Sequence, residues 1–352
     1  MHNFRELEMS LISIGTLGGT IAMVEGGSGG GVVPTLTADA LIAAVPQIRN
    51  YAQIKAQSLF QLPSPSLKFR HGLEVIGWAE NEVKSGADGI VLTQGTDTLE
   101  EMAFLLDLLW EHPQPLVLTG AMRSPRAPGA DGPANLVAAV LTAASRLSRE
   151  RGVLVAMNDT IHAARWITKS HALSVQTFVS SDSGPLGYVY EETPVYINTL
   201  SRLPKIDRTQ FNADVKIGFY ESLLDGDAQM LRSMFESGRY DGIVVAGFGA
   251  GHVSGDEADI IERYVSRIPV VVASRTYGGR PPRRLMGSMA PRLIFRRKAL
   301  CSQAGYPPAR RGYCCGHYWQ RVKIWKKQEL TSCSITHNCR SRFRIHGKRA
   351  TF

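Results

Sequence analysis

Cysteine is absent from residues 1–276. That stretch therefore holds no disulfide, no thiolate metal site and no cysteine nucleophile. All five cysteines, Cys301, Cys314, Cys315, Cys333 and Cys339, lie near the end of the 352-residue chain. Acids are missing from the same end: beyond Thr276 only Glu329 is acidic, against 18 Lys and Arg. Taking those 18 bases and one acid from the totals of 40 and 31 leaves a body of net −8 and a tail of +17. The overall charge of +9 thus averages two unlike compositions and does not mark the body as a nucleic-acid binder. No apolar run approaches the ~20 residues of a membrane span, so no membrane association is expected. Residues 1–8 carry Arg5, Glu6 and Glu8 and lack a long apolar core with a small-residue cleavage site. No secretory signal is expected, and with the cysteine-free body this predicts a cytoplasmic protein.

Two nucleotide motifs are also missing. No G-x-x-x-x-G-K-[ST] occurs, and G-F-G-A-G at 247–251 has His252 where a dinucleotide turn needs its third glycine. His71, His112, His162, His171 and His252 show no metal-ligand spacing. Neither metal nor cofactor is expected.

What is present is an alternation of strand-like and helix-like segments over a length that suits two domains. Strands are predicted at 11–14, 54–60, 89–93, 115–120 and 152–157. Helices starting at Thr37, Leu67, Thr98 and Asp131 lie between or beside them. Asp131 reads as an N-cap, with Pro133 in the first turn. A second series follows: strand 216–220, helix 227–237, strand 242–246, helix 256–265, strand 269–273. Continuous apolar strands alternating with helices predict an α/β protein. A larger N-terminal domain (1–190), with a mainly parallel sheet covered by helices, leads through a linker (191–215) to a smaller C-terminal α/β domain (216–276). The last domain is incomplete, and 277–352 is an aberrant basic tail.

Ligands of open parallel sheets bind beyond the carboxyl ends of the strands. Those loops are rich in hydroxyls and acids: Thr16 and Thr20, Ser58, Thr96 and Asp97, Asn158 and Asp159, with Lys169 ten residues on. Each alone can be a turn former or cap; four such loops at one edge point to a site. The run E-G-G-S-G-G-G (25–31) reads equally as a surface turn or as a mobile lid.

The strings I-S-I-G-T-L-G-G-T-I-A (12–22), L-T-Q-G-T-D-T-L-E-E (92–101), L-T-G-A-M-R (118–123), A-D-G-P-A-N-L (130–136), V-A-M-N-D-T-I (155–161) and S-R-T (274–276) resemble the bacterial-type L-asparaginase/glutaminase family. The resemblance covers about residues 9–276. It implies that Thr20 is the nucleophile attacking a side-chain amide, leading through an acyl-enzyme to aspartate and ammonia. It places Thr96, Asp97 and Lys169 in a second cluster, where the ammonium eases deprotonation of Thr96. Asp97 would pair with the substrate's α-ammonium, Ser58 would bond its α-carboxylate, and a backbone N–H near Ala121 would stabilise the oxyanion. The implied substrate is L-asparagine, with L-glutamine as second candidate. The implied assembly is a homo-oligomer, dimeric or tetrameric.

Several positions depart from the family pattern. No tyrosine stands between Thr20 and Tyr51, where many relatives carry a catalytic one. Leu59 and Gln94 replace residues common in relatives, and His252 stands where some have an asparagine donated by the neighbouring subunit. After S-R-T, relatives continue with Y-G-x-x-G-S-E; this chain reads L-M-G-S-M-A-P (285–291). Methionine has one codon, so a one-base shift across Met286-Gly287 and Met289-Ala290 yields two glycines at the spacing of that stretch. The tail is accordingly read as out-of-frame translation. A basic nucleic-acid arm and a zinc site compete with this reading. The adjacent Cys314-Cys315 pair and missing C-x-x-C argue against zinc. If the frame is shifted, an inactive protein retaining the fold is the alternative to an active enzyme.

Overall fold

The computed structural model describes residues 9–19, 21, 23–25, 32–34, 37–276 and 278. Thr20, the glycine-rich run at 26–31 and the tail beyond 278 lie outside the described residues.

The chain opens with β1 (Leu11–Thr16), β2 (Met23–Glu25) and β3 (Val32–Pro34). Next comes α1 (Ala38–Ala44), whose N-cap Thr37 accepts from the Ala40 N–H. Pro46 follows two residues after its end, as expected of a residue that cannot continue a helix. Then come β4 (Gln53–Ser58), α2 (Phe69–Lys84), β5 (Gly89–Thr93), α3 (Leu99–Leu109), β6 (Leu116–Thr119), α4 (Gly132–Ala144) and β7 (Val153–Met157). Five short strands complete the first unit: β8 (Thr160–Ala163), β9 (Thr168–Lys169), β10 (Phe178–Val179), β11 (Gly187–Tyr190) and β12 (Thr193–Tyr196).

Eight strands form one sheet in the order β12-β11-β8-β7-β6-β5-β1-β4. The run β7-β6-β5-β1-β4 pairs in parallel, and β8, β11 and β12 extend it through antiparallel pairings. The inner parallel strands β5, β6 and β7 are buried throughout because helices cover both faces, whereas the edge strand β4 (Q-I-K-A-Q-S) is largely exposed. Ile90 and Leu92 of β5 pack with Val75, Leu105 and Trp110 of α2, α3 and the turn after α3. Val91, between them, points the other way, to Leu41, Leu136 and Val140 of α1 and α4.

The antiparallel extension was the hard part to foresee. Asn158 and Asp159, and again Glu191 and Glu192, adopt positive φ and make two-residue turns between β7 and β8 and between β11 and β12. Such turns favour Gly, Asn and Asp, so N-D suits one, whereas E-E does not announce it. Strand β12 consequently lies inside the 191–215 stretch that composition reads as linker.

The second unit comprises β13 (Ile217–Glu221), α5 (Ala228–Glu236), β14 (Gly242–Gly247), α6 (Gly255–Tyr264) and β15 (Val270–Ser274). Its strands pair in parallel, in sequence order. Both helices pack on Tyr220, Ile243, Val245, Val270 and Val272. The fold is thus α/β, with a large mainly parallel sheet and a separate small one.

Candidate active site

Parallel pairing puts the ends of β4, β1, β5 and β6 side by side, with Thr16 level with Ser58 on one side and Thr93 on the other. The loops that leave these ends are drawn together by glycine. Gly19 has φ +92, and a methyl group on it would stand 2.1 Å from the Gly95 nitrogen. The first loop and the G-T-D loop therefore touch backbone to backbone, which any other side chain would prevent. Gly120 does the same for the loop after β6: a Cβ there would lie 2.6 Å from the Gln94 carbonyl oxygen and 3.3 Å from Thr96 Cγ2.

At this junction stands a compact polar cluster. Lys169 Nζ donates to Thr96 Oγ1 at 2.9 Å and to Asp97 Oδ1 at 2.8 Å. The lysine and threonine side chains are largely withdrawn from solvent, while the Asp97 side chain is 63% exposed. The donor direction matters. Since the ammonium donates to Thr96 Oγ1, the threonine's own proton points elsewhere, and the adjacent cation stabilises negative charge developing on that oxygen. Asp97 keeps acceptor capacity toward solvent, as a receptor for an ammonium must.

Lys169 is set by two contacts. Its strand, β9, pairs with β10 so that Lys169 faces Phe178, and its backbone N–H donates to Glu100 Oε2 at 2.6 Å. Glu100 lies in the first turn of α3, directly after the T-D-T segment. In sequence it passes for a helix-dipole residue; in space it ties the strand carrying Lys169 to the turn carrying Thr96 and Asp97. Thr98, the N-cap residue of α3, makes no side-chain cap bond. Its hydroxyl accepts from Gln94 Nε2 at 3.1 Å and donates to the Ser64 carbonyl at 2.9 Å.

Ser58 ends β4 at the same edge and is exposed. Its Oγ accepts from the Ala38 N–H at 2.9 Å, which leaves the hydroxyl proton free to be donated. Ala121 is buried in the loop after β6. No described residue accepts its N–H. Asn158 and Asp159, in contrast, are a turn, with the Asn158 N–H held by Asn135 Oδ1 at 2.8 Å. His252 is not brought to the cluster within this chain. It closes a turn after β14, exchanging backbone bonds with Phe248.

Asp131 takes the N-cap position of α4, yet its carboxylate makes no cap bond. It turns back to the Met122 and Arg123 N–H groups instead. His162, away from the cluster on β8, is buried with Nδ1 against Ser180 Oγ at 2.9 Å. Burial pushes its imidazole down to about 4, so it is neutral at pH 7. Among the described residues no group of His, Asp, Glu or Cys could hold a metal ion, and no helix is long and apolar enough to cross a membrane.

Comparison with known proteins agrees with this arrangement. A family model described as asparaginase, N-terminal, matches residues 11–202, and one described as glutaminase/asparaginase C-terminal domain matches residues 216–291. The chain belongs to the bacterial-type asparaginase family. It is 38% identical over 278 residues to a probable periplasmic L-asparaginase of Haemophilus influenzae, covering 75% of this chain and 76% of that one. It is 36% identical over 261 residues to L-asparaginase 2 of Escherichia coli, covering 70% and 72%. The crystal structure of a probable cytoplasmic L-asparaginase from Campylobacter jejuni superposes with a TM-score of 0.76 at 32% identity, over 86% of this chain and 92% of that one. The asparaginase match to the C-terminal model thus reaches past Thr276.

Proposed function

We propose that this protein is an amidohydrolase that converts L-asparagine to L-aspartate and ammonia. The observation that carries the reading is the Lys169 ammonium bridging Thr96 Oγ1 and Asp97 Oδ1 at the sheet edge where the glycine loops meet. Thr20, one residue beyond Gly19, is the nucleophile. Its Oγ adds to the side-chain amide carbon, and the C–N bond breaks with the nitrogen leaving as ammonia. Water then hydrolyses the resulting ester and returns the proton to Thr20. Asp97 receives the substrate's α-ammonium and Ser58 donates to its α-carboxylate. The Ala121 N–H faces the oxyanion, where a placed donor is worth about 3–4 kcal/mol. Lys169 lowers the cost of charge on Thr96 Oγ1, which orients and activates water.

A preference for asparagine over glutamine turns on one methylene, roughly 1–3 kcal/mol. The enzyme works as a homo-oligomer, with His252 reaching the site of a neighbouring copy, and resides in the cytoplasm. Residues 277–352 are read as out-of-frame translation of the family's C-terminus, a reading with which the family match continuing to residue 291 does not agree. Sequencing the gene across codons 276–290 tests that last point: a shifted frame that does not continue the family's homology would refute it.

The activity is tested by ammonia release from L-asparagine by the purified full chain and its Thr20→Ala variant. The wild type should turn over and the variant should not. A folded wild type without turnover, or a variant with undiminished rate, would overturn the reading.

A further inference from the structure

The loop after β6 is held by two side chains with no part in the proposed chemistry. Asp131, at the start of α4, is buried. Its Oδ1 accepts from the Met122 N–H at 3.1 Å and the Arg123 N–H at 2.8 Å. Its Oδ2 accepts from the Met122 N–H at 2.9 Å and Asn135 Nδ2 at 3.0 Å. A carboxylate that accepts so many N–H groups has little capacity left for anything else.

Asn135, one turn along the same helix and almost fully buried, finishes the frame. Its Nδ2 also donates to the Gly120 carbonyl at 3.0 Å, and its Oδ1 accepts from the Asn158 N–H at 2.8 Å. The Asn158 bond fixes which end of the amide is oxygen. Two residues on one helix face thus clamp the backbone on both sides of Ala121: Gly120 through its carbonyl, Met122 and Arg123 through their N–H groups. Between the clamped carbonyl of Gly120 and the clamped N–H groups of Met122 and Arg123, the Ala121 N–H has no acceptor among the described residues. Gly120 rests on the Gln94 carbonyl and on Thr96 Cγ2, so the clamp sets the free N–H relative to the Lys169 cluster.

We propose that Asp131, supported by Asn135, is a positioning residue for amide hydrolysis: it spends its carboxylate on the 122–123 peptides so that the Ala121 N–H stays free and aimed at the reacting carbonyl. This rests on the reading of the Gly120–Ala121 loop as part of the asparagine-hydrolysing site. Oriented donors act on charge that appears in the transition state. Loosening the clamp should therefore lower kcat and leave ground-state binding, which runs through Asp97 and Ser58, nearly unchanged.

In Asp131→Asn one carboxylate oxygen becomes an NH2, which cannot accept: set at the Oδ2 position it opposes the Met122 N–H and the Asn135 NH2, so the clamp loses an acceptor and its charge. The expected result is a kcat lower by about 10- to 100-fold with KM and the inhibition constant of product L-aspartate within about threefold. Asn135→Ala, which keeps Asp131's backbone contacts and loses the Gly120 bond, should lower kcat by a smaller factor in the same pattern.

Glu257→Gln, on α6 beside the small sheet, serves as the stability control. If at equal thermal destabilisation it lowers kcat as much as Asp131→Asn does, the role is merely structural and the proposal is overturned. A wild-type kcat in folded Asp131→Asn, or a rise in KM matching the loss in kcat/KM, overturns it too. If Asp131→Asn does not fold, Asn135→Ala decides: an unchanged kcat overturns the proposal. Thr20→Ala separates the layers. An active Thr20→Ala sinks the underlying reading, whereas an inactive one beside a fully active Asp131→Asn sinks only the positioning role.

Discussion

The two sheets end in the same kinds of residue and use them differently. At the carboxyl edge of the small sheet, Glu257 is buried, and its carboxylate accepts from Tyr220 Oη at 2.8 Å, Ser222 Oγ at 3.0 Å and the Ser254 N–H at 2.7 Å. Ser254 Oγ accepts the Glu257 N–H in return, closing a capping box at the start of α6. Arg275 adds a bond to the Ser222 carbonyl at 2.8 Å. Glu257, Tyr220 and Ser222 are buried, and their bonds run to one another. Burial, then the bond to Glu257, pushes the Tyr220 phenol up, and no partner from outside is needed.

At the edge of the large sheet, Lys169 also joins its neighbours, but Asp97 stays open to solvent and Thr96 keeps a proton to give. What separates a structural network from a reactive one is the valence left over, and residue type does not report it.

The comparison can be broken from either side. The largest effect is expected at the open edge. Thr96→Val removes the hydroxyl that the lysine holds and should lower the rate of ammonia release by about 10³-fold, without a shift in unfolding midpoint beyond that of an ordinary buried substitution. If the small-sheet network is purely structural, Glu257→Ala should show the opposite pattern. Two buried donors, Tyr220 and Ser222, and the helix-capping bond of Ser254 lose their acceptor, so urea unfolding should report a loss of roughly 3 kcal/mol. Ammonia release by the remaining folded protein should stay within about twofold of wild type, since the sites are independent.

The third effect is of similar size and depends on pH. His162 titrates near 6.5 unfolded and near 4 in place. The unfolded chain therefore takes up the extra proton first. Stability is full above about pH 6.5 and falls by up to about 3 kcal/mol as pH drops through 4. His162→Gln should flatten that acid slope in a pH series of melting curves. The smallest effect belongs to the connection. Arg208 meets Glu80 of α2 at 2.9 Å with half of its side chain in solvent, so Arg208→Ala should cost no more than about 1 kcal/mol, and less in high salt.

Much of this was legible before any coordinates. G-I-V-L-T reads as a buried strand and is β5, residue for residue. The helix expected from Thr37 begins there because a hydroxyl before an apolar run caps the first turn, and Thr37 does. The helix expected over 256–265 is α6, shifted by one residue at each end. The hairpin at Glu191-Glu192 is hidden because glutamate rarely adopts positive φ, and the one at Asn158-Asp159, whose residues do favour it, because the same pair also reads as a loop bearing site residues. Asp131 misled in a different way. It stands at the N-cap position that its residue type predicts, but its carboxylate serves a loop nine residues back, and local sequence cannot rank a cap against a distant N–H. Glu100 was obscured by the same degeneracy. The spacing of Thr96, Asp97 and Lys169 along the chain gave no hint of contact. It was the resemblance of their motifs that grouped them, and the geometry shows the lysine bonded to both.

The central claim is that the Lys169 cluster at the large sheet's edge performs amide hydrolysis. The most direct test is the rate of ammonia release from L-asparagine by full-length Lys169→Met, alongside wild type and with folding checked by melting. The account predicts a loss of at least about 10³-fold in kcat at an essentially unchanged melting temperature. A folded Lys169→Met that releases ammonia at the wild-type rate would contradict it.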